Sequence, residues 1–218
     1  MASELTRAVR LPRKQRRLQL LEAARSVFVA MGFHSASMDD IAARAGVTKP
    51  VLYQHFGSKR DLYLAVLDCE ATSFLKFMSS ALQSTKDNRA RVATAVDCYL
   101  TFISHDDAAY RLFFESDLVA APDVRERVER VDDECAGMVS QVIAQDTGLS
   151  DAEATLLANG LLGMAQSAAR RWLRDREGID KPTAVHLLTA LAWRGISGFP
   201  RSHPPTGPGG EDQPAPRQ

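Results

Sequence analysis

The sequence predicts an all-α protein, a three-helix head followed by a larger helical body, on three observations. Apolar residues recur at helical spacing through most of the 218 residues, with no strand-period alternation of useful length. Between Ser37 and Asp61, three capping residues and two glycines fall at helix-turn-helix spacing. Charge is unevenly divided: the formal net charge is zero, yet residues 1–64 carry +6 and the remainder −6. A basic head on an acidic body is the electrostatic footprint of a nucleic-acid-binding module joined to a different domain.

From the N-terminus, residues 1–12 read as a disordered basic arm, with Arg7, Arg10, Arg13, Lys14, Arg16 and Arg17 within or just after it. Such an arm either tracks a DNA backbone or minor groove or is a solvated tail. From Arg13 to Met31 the residues Leu18, Leu21, Ala24, Phe28 and Met31 form an apolar stripe that buttresses the helix-turn-helix, and Gly32 ends the helix. Ser37 caps the next helix, with Asp40 three residues on closing the box. Gly46 supplies the left-handed stop, and Thr48 caps a second helix whose first turn accepts Pro50 at little cost. Val47 and Leu52 stand at staple positions across that cap. Gly57 ends the second helix, and Ser58 with Asp61 repeats the box for a third. In the second helix Val51, Leu52 and Phe56 form the packing face, while Lys49, Tyr53 and Gln54 project elsewhere, as a major-groove reader requires.

The run S-x-x-x-I-A-x-x-A-G-V-T-x-x-x-x-Y-x-H-F-x-x-K-x-x-L, Ser37 to Leu62, resembles the signature of the TetR family of one-component bacterial transcription regulators. The resemblance implies that Ser37, Thr48, Tyr53, His55 and Lys59 hold DNA phosphates, while Lys49, Pro50 and Gln54 lie nearest the base edges. The residue chemistry agrees, since hydroxyls, cations and helix N-termini suit phosphate oxygens. Ser37 and Thr48 are caps under either reading. Lys59 opposes the macrodipole of the helix it begins, and a phosphate partner would account for it.

From Ser58 a long helix carries Leu62, Ala65, Val66, Cys69, Phe74, Phe77, Met78 and Leu82 out of the head, a natural lever between the two parts. Five further helical segments are expected, Asn88 to His105, Ala108 to Val119, Pro122 to Gln145, Ser150 to Glu177 and Pro182 to Ile196, with Gly148 and Gly178 as stops. The expected domains are a head over 13–57, a ligand-binding and dimerisation body over 58–198, and a disordered tail over 199–218. Six of the ten prolines lie in that tail, from Pro200 to Pro216.

Several function classes are excluded or disfavoured. Cys69, Cys98 and Cys135 are widely spaced and read as buried small hydrophobes, so no metal or other cofactor is expected. No G-x-S-x-G, H-E-x-x-H, P-loop or G-x-G-x-x-G motif is present. The cluster His105, Asp106 and Asp107 fits a helix end better than an acid/base site, and no enzyme is expected. No run of about 18 apolar residues suits a membrane span, and the basic N-terminus lacks an apolar signal core. A cytoplasmic protein is the expectation.

The body is rich in long or flat apolar side chains, which ordinarily fill a helical core. The family resemblance implies an apolar ligand pocket among them, with Phe74, Phe77, Leu82, Tyr99, Phe102, Phe113, Phe114, Leu118, Leu161, Met164, Arg170 and Trp172 as candidate lining. HDDAAYRLFFESDLV, LLGMAQSAARRWL and AVHLLTALAWRGIS further resemble the actinobacterial fatty-acid-synthesis regulators of that family. That implies a long-chain acyl-CoA effector in a hydrophobic tunnel, altering affinity for a double-stranded DNA operator. Arg170, Arg171 and Arg174 flank Trp172 and suit either a polar mouth for the CoA phosphates or a solvated helix end.

Ala158, Gly160, Gly163, Ala165 and Ala168, followed by Leu187, Leu188, Leu191 and Trp193, suggest the helix pair on which such proteins form homodimers. A two-fold dimer presents its readers roughly 34 to 36 Å apart and selects a pseudo-palindrome. The alternatives are a TetR-type repressor of a drug-efflux gene with another apolar ligand, and a helical acyl-binding carrier.

Overall fold

The structure is a computed structural model that describes residues 11–104, 112, 118, 120–175 and 178–194. Among these the regular elements are eight helices: α1 (Arg13–Ser35), α2 (Met38–Ala45), α3 (Lys49–Tyr53), α4 (Lys59–Gln83), α5 (Asn88–Ser104), α6 (Pro122–Thr147), α7 (Asp151–Arg174) and α8 (Lys181–Arg194). No strand occurs among the described residues. The arm at 1–10, the tail, and the segment expected from Ala108 to Val119 lie outside the described residues, apart from Leu112 and Leu118, both buried.

The capping pattern at Ser37 and Gly46 bounds α2 as expected. Helical geometry in α1 breaks at Gly32 (φ 75°, ψ 167°), and a single turn leads from there to α2. The Ser37 hydroxyl accepts the Asp40 N–H at 3.1 Å, and the Asp40 carboxylate accepts the Ser37 N–H at 3.0 Å, completing the box. Gly46 takes the left-handed conformation (φ 64°). Its N–H reaches the Ala43 carbonyl at 3.1 Å, and Val47 N–H reaches Ala42 at 3.0 Å, so the last carbonyls of α2 are satisfied in a Schellman turn.

Two capping expectations are corrected. Thr48 holds the cap position of α3 with extended backbone, but its hydroxyl does not bond the helix. Pro50 has no N–H to offer, and the Val51 N–H is taken by Thr48's own carbonyl at 3.0 Å. Ser58 forms only the hydroxyl half of its box, accepting the Asp61 N–H at 3.0 Å.

Helix α4 spans 25 residues, about 37 Å at 1.5 Å per residue, and belongs to two cores. Its first half places Leu62, Tyr63, Val66, Leu67 and Ala71 against Leu20, Ala24 and Phe28 of α1 and Leu52 of α3. Phe28, Phe33 and Tyr63 close this cluster with edge-to-face and offset ring contacts at centroid separations of 5.2 to 6.0 Å. Its second half places Phe74, Met78 and Leu82 against Cys135 of α6. The same rigid element therefore forms part of the head and of the body wall.

In the body, α6 and α7 pack along their length, with Gln166 donating to Asp132 at 2.7 Å and Ser140 meeting Thr155 at 3.2 Å. Gly148 (φ 72°) ends α6, and Ser150 with Glu153 forms a full capping box for α7. That helix ends at Arg174, short of the expected Glu177. Helix α8 is capped by Asp180, whose carboxylate accepts the Thr183 N–H at 2.8 Å, and packs on α5. Helix α6 ends at Thr147, two residues past the expected Gln145.

Candidate nucleic-acid interface and effector cavity

The exposed edge of the head gathers most of the residues assigned to DNA. Thr48, Lys49, Pro50 and Gln54 are exposed, and Tyr53 is 46% exposed, all along the short α3, while Leu52 and Phe56 are buried behind them. Burial on one side presents the other as a rigid surface. The Lys49 ammonium lies 2.8 Å from the Asp39 carboxylate, which raises its pKa above the usual lysine value. Ser37 stands at the N-terminus of α2, partly exposed, with its hydroxyl bonded to Asp40 at 2.6 Å.

Beside His55 the structure brings together cations whose connection to α3 the spacing alone did not show. Arg17 donates to the His55 carbonyl at 3.2 Å, and its guanidinium carbon lies 4.3 Å from the centre of the Phe56 ring. Burial, then the fields of Arg13, Arg17 and Arg16, hold the His55 imidazole below its ordinary pKa. The first turns of α1 thus add positive charge next to α3. The signal was the run Arg13, Lys14, Arg16 and Arg17, but its neighbour was not legible.

Lys59 is placed differently from expectation. Its ammonium donates to the carbonyls of Phe33 and Ala36 at 2.8 Å and of His34 at 3.3 Å, and lies 4.5 Å from the centre of the Phe33 ring. The cation that opposes the macrodipole at the start of α4 serves the end of α1, whose last carbonyls need donors. Its three N–H groups are engaged within the protein, so the electrostatic argument for a phosphate partner no longer holds.

The body contains a cavity of about 530 Å³ walled by α4, α5, α6 and α7, with the end of α8 at its edge. Phe74, Met78 and Leu82 of α4, Tyr99 of α5, Val139 and Ile143 of α6, and Leu161 and Met164 of α7 make most of it apolar. Five of the expected lining residues, Phe74, Leu82, Tyr99, Leu161 and Met164, are among them. Phe102 instead lines a small adjoining void with Phe74, Asp132 and Gln166. Burial raises the pKa of Asp132 there, against the opposing effect of the Gln166 hydrogen bond.

The other assignments part from the cavity for identifiable reasons. Phe77 is 65% exposed, because its position on α4 falls to the side of the Phe74–Met78–Leu82 stripe. Leu118 packs in the head cluster. Trp172 packs against the Val96, Leu100 and Ala169 cluster and donates its indole N–H to the Ile179 carbonyl at 2.7 Å. Arg170, Arg171 and Arg174 lie toward the C-terminal end of α7, past Gln166, the last residue of that helix to line the cavity, and do not line it. Phe113 and Phe114 lie outside the described residues. Among the described residues, the cation that does line the cavity is Arg91 of α5, which sequence periodicity did not single out.

A helix-turn-helix head sharing one long helix with a cavity-bearing helical body is the architecture of a DNA-binding transcription regulator. Residues 20–66 match the family model described as bacterial regulatory proteins, tetR family. The chain is 46% identical over 194 residues, 89% of each chain, to the HTH-type transcriptional activator FasR of Mycolicibacterium smegmatis. The protein belongs to the TetR family of transcription regulators, and within it is similar to FasR.

Solved structures agree on the architecture. A TetR-like transcriptional regulator from Rhodococcus sp. RHA1 matches with a TM-score of 0.66 and 30% identity, over 87% of this chain and 100% of that one. The regulator FadR from Bacillus subtilis, solved in complex with stearoyl-CoA, has the same TM-score at 18% identity, over 82% of this chain and 98% of that one, and attests the fold.

Proposed function

We propose that this protein is a homodimeric, sequence-specific regulator of fatty-acid biosynthesis genes whose affinity for a pseudo-palindromic operator is changed by long-chain acyl-CoA. The observation that carries the reading is the apolar cavity built on α4, the helix that also packs behind α3. An effector that favours one arrangement of the far half of α4 biases the setting of the reading helix at the near half, by no more than its differential affinity for the two arrangements. The likeness to the transcriptional activator FasR over most of both chains supports the regulator's role, the sequence resemblance to actinobacterial fatty-acid-synthesis regulators supports the choice of target genes, and the stearoyl-CoA complex of a protein of the same fold supports the ligand class.

In this reading Thr48, Tyr53 and His55 approach phosphates, with Ser37 adding its helix N-terminus, while Lys49, Pro50 and Gln54 face base edges. Thr48 is suited to this because its hydroxyl is not spent on capping α3. The test is fluorescence anisotropy on a duplex from the host's fatty-acid synthase promoter, titrated with salt, with and without palmitoyl-CoA, and with palmitate and CoA as controls. Specific binding that weakens steeply with salt and shifts with palmitoyl-CoA alone is expected. Operator binding indifferent to palmitoyl-CoA would remove the effector from the reading.

A further inference from the structure

The cavity's charged groups are confined to one end. Among its described lining residues only Arg91 and Asp146 carry formal charge, the first from the opening turn of α5 and the second from the last turn of α6. Asn88 and Thr147 flank them, and the α4 wall runs from Phe74 to Leu82. An amphipathic molecule with its chain along this wall would present its head group to Arg91.

Arg91 is held rigidly. Its Nε and Nη2 donate to the Thr85 carbonyl at 3.3 and 3.1 Å, and its Nη1 donates to Asn88 Oδ1 at 2.6 Å and to Asp146 Oδ2 at 2.7 Å. These bonds use four of the five N–H groups of a guanidinium, and the fifth, on Nη2, has no partner among the described residues. The side chain is 14% exposed, against 34% for Asp146. The two partners therefore differ in freedom. Arg91 is anchored by loop and helix oxygens whether or not Asp146 is present, whereas Asp146 is the more exposed and can turn to water.

We propose that Arg91 is the head-group reader of this cavity, binding the oxyanion of an amphipathic effector, carboxylate or phosphate, in exchange for Asp146. The inference rests on the reading of the cavity as the effector site. A planar guanidinium preorganised by fixed carbonyls pairs with an oxyanion in two-pronged geometry that a neutral head cannot match. Asp146 acts as the resident competitor, which sets a threshold for the incoming anion and ties the start of α5 to the end of α6 until it is met.

The test uses the full chain and three probes with the same alkyl tail, palmitate, palmitoyl-CoA and hexadecanol. Binding is followed by equilibrium dialysis and by the tryptophan emission of the chain, to which Trp193, which lines the cavity, contributes along with Trp172. In the wild type at least one anionic probe binds about tenfold or more tighter than hexadecanol, as a charge-assisted hydrogen bond predicts. Arg91→Gln brings that preference to about twofold or less and leaves hexadecanol affinity nearly unchanged, while Arg91→Lys keeps part of it. Asp146→Asn, which leaves Arg91 in place, tightens the anionic probe severalfold and not the neutral one.

Equal weakening of all three probes in Arg91→Gln, an unchanged preference, or no tightening in Asp146→Asn would each overturn the proposal. The arms also separate it from the acyl-CoA reading. Arg91-dependent palmitate binding with palmitoyl-CoA inert supports the reader and removes acyl-CoA as effector. Palmitoyl-CoA that binds and shifts operator affinity equally in wild type and Arg91→Gln does the reverse.

Discussion

Lys59 and His55 are two residues of one motif that the fold uses in different ways. The Lys59 ammonium satisfies three carbonyls at the end of α1, and removing it leaves acceptors with fewer partners at a partly buried helix end. Lys59→Ala is expected to cost about 1–3 kcal/mol of stability in urea unfolding. The salt dependence of operator binding by the folded variant should stay that of the wild type. A loss of about one phosphate contact from that slope, with stability unchanged, would restore the direct DNA role. For His55 the sign comes from its lowered native pKa. The unfolded chain binds a proton near pH 6.5 that the folded head resists, so stability is full above that value and falls as pH drops toward the native pKa. His55→Gln should flatten that part of a urea-midpoint profile between pH 7.5 and 5, and a slope identical to wild type would assign it to other groups.

At the scale of elements, α4 is tied to α6 by charge at two levels. Arg60 Nε donates to Asp123 at 2.9 Å, and Asp68 accepts from Arg127 at 2.9 Å and Arg130 at 3.2 Å. These pairs are partly exposed and individually add little stability, about 0–1 kcal/mol each. Their use is geometric, because they couple the lever to a helix of the cavity wall between the two cores that α4 joins. Asp68→Ala should therefore keep operator affinity within about threefold, and lose no more than about 2 kcal/mol of stability for its two pairs. It should reduce the shift that the effector produces, as measured by anisotropy with and without palmitoyl-CoA. An undiminished shift would show that the apolar contacts of α4 carry the coupling without these ion pairs.

For the whole molecule, the outer face of α7 and α8 bears on assembly. Leu156 is 74% exposed and Leu187 39%. Gly160 and Gly163 are exposed, and a Cβ added at either meets no atom within 4 Å among the described residues. The described residues of one protomer give these glycines no packing reason, and the homodimer proposed above would supply one if a second copy of the helix pair approached this face. Gly163→Trp should leave the protomer folded by circular dichroism, shift sedimentation from dimer to monomer, and abolish operator binding, since one head reads only a half-site. A Gly163→Trp protein that still binds the operator as a dimer would place the interface elsewhere.

Local chemistry by itself determined the helical class and the caps that start and stop α2, α6 and α7. Ser37–Asp40, Gly46, Gly148 and Ser150–Glu153 act within a few residues of themselves, so their spacing is their mechanism. The surface of α3 was legible for the same reason, since Leu52 and Phe56 can only pack on one side. What the tertiary structure decided depends on distant partners. Lys59 meets carbonyls 23 to 26 positions earlier, Arg17 meets His55 38 positions later, and Arg91 meets Asp146 55 positions later. Periodicity marked Phe74 and Phe77 alike as apolar, and only the packing of α4 against its neighbours turned one into a cavity and left the other in water. Helical periodicity sets the side of a helix on which a residue stands. Which helix faces it, and which charge closes the space between them, is set by how the chain returns on itself.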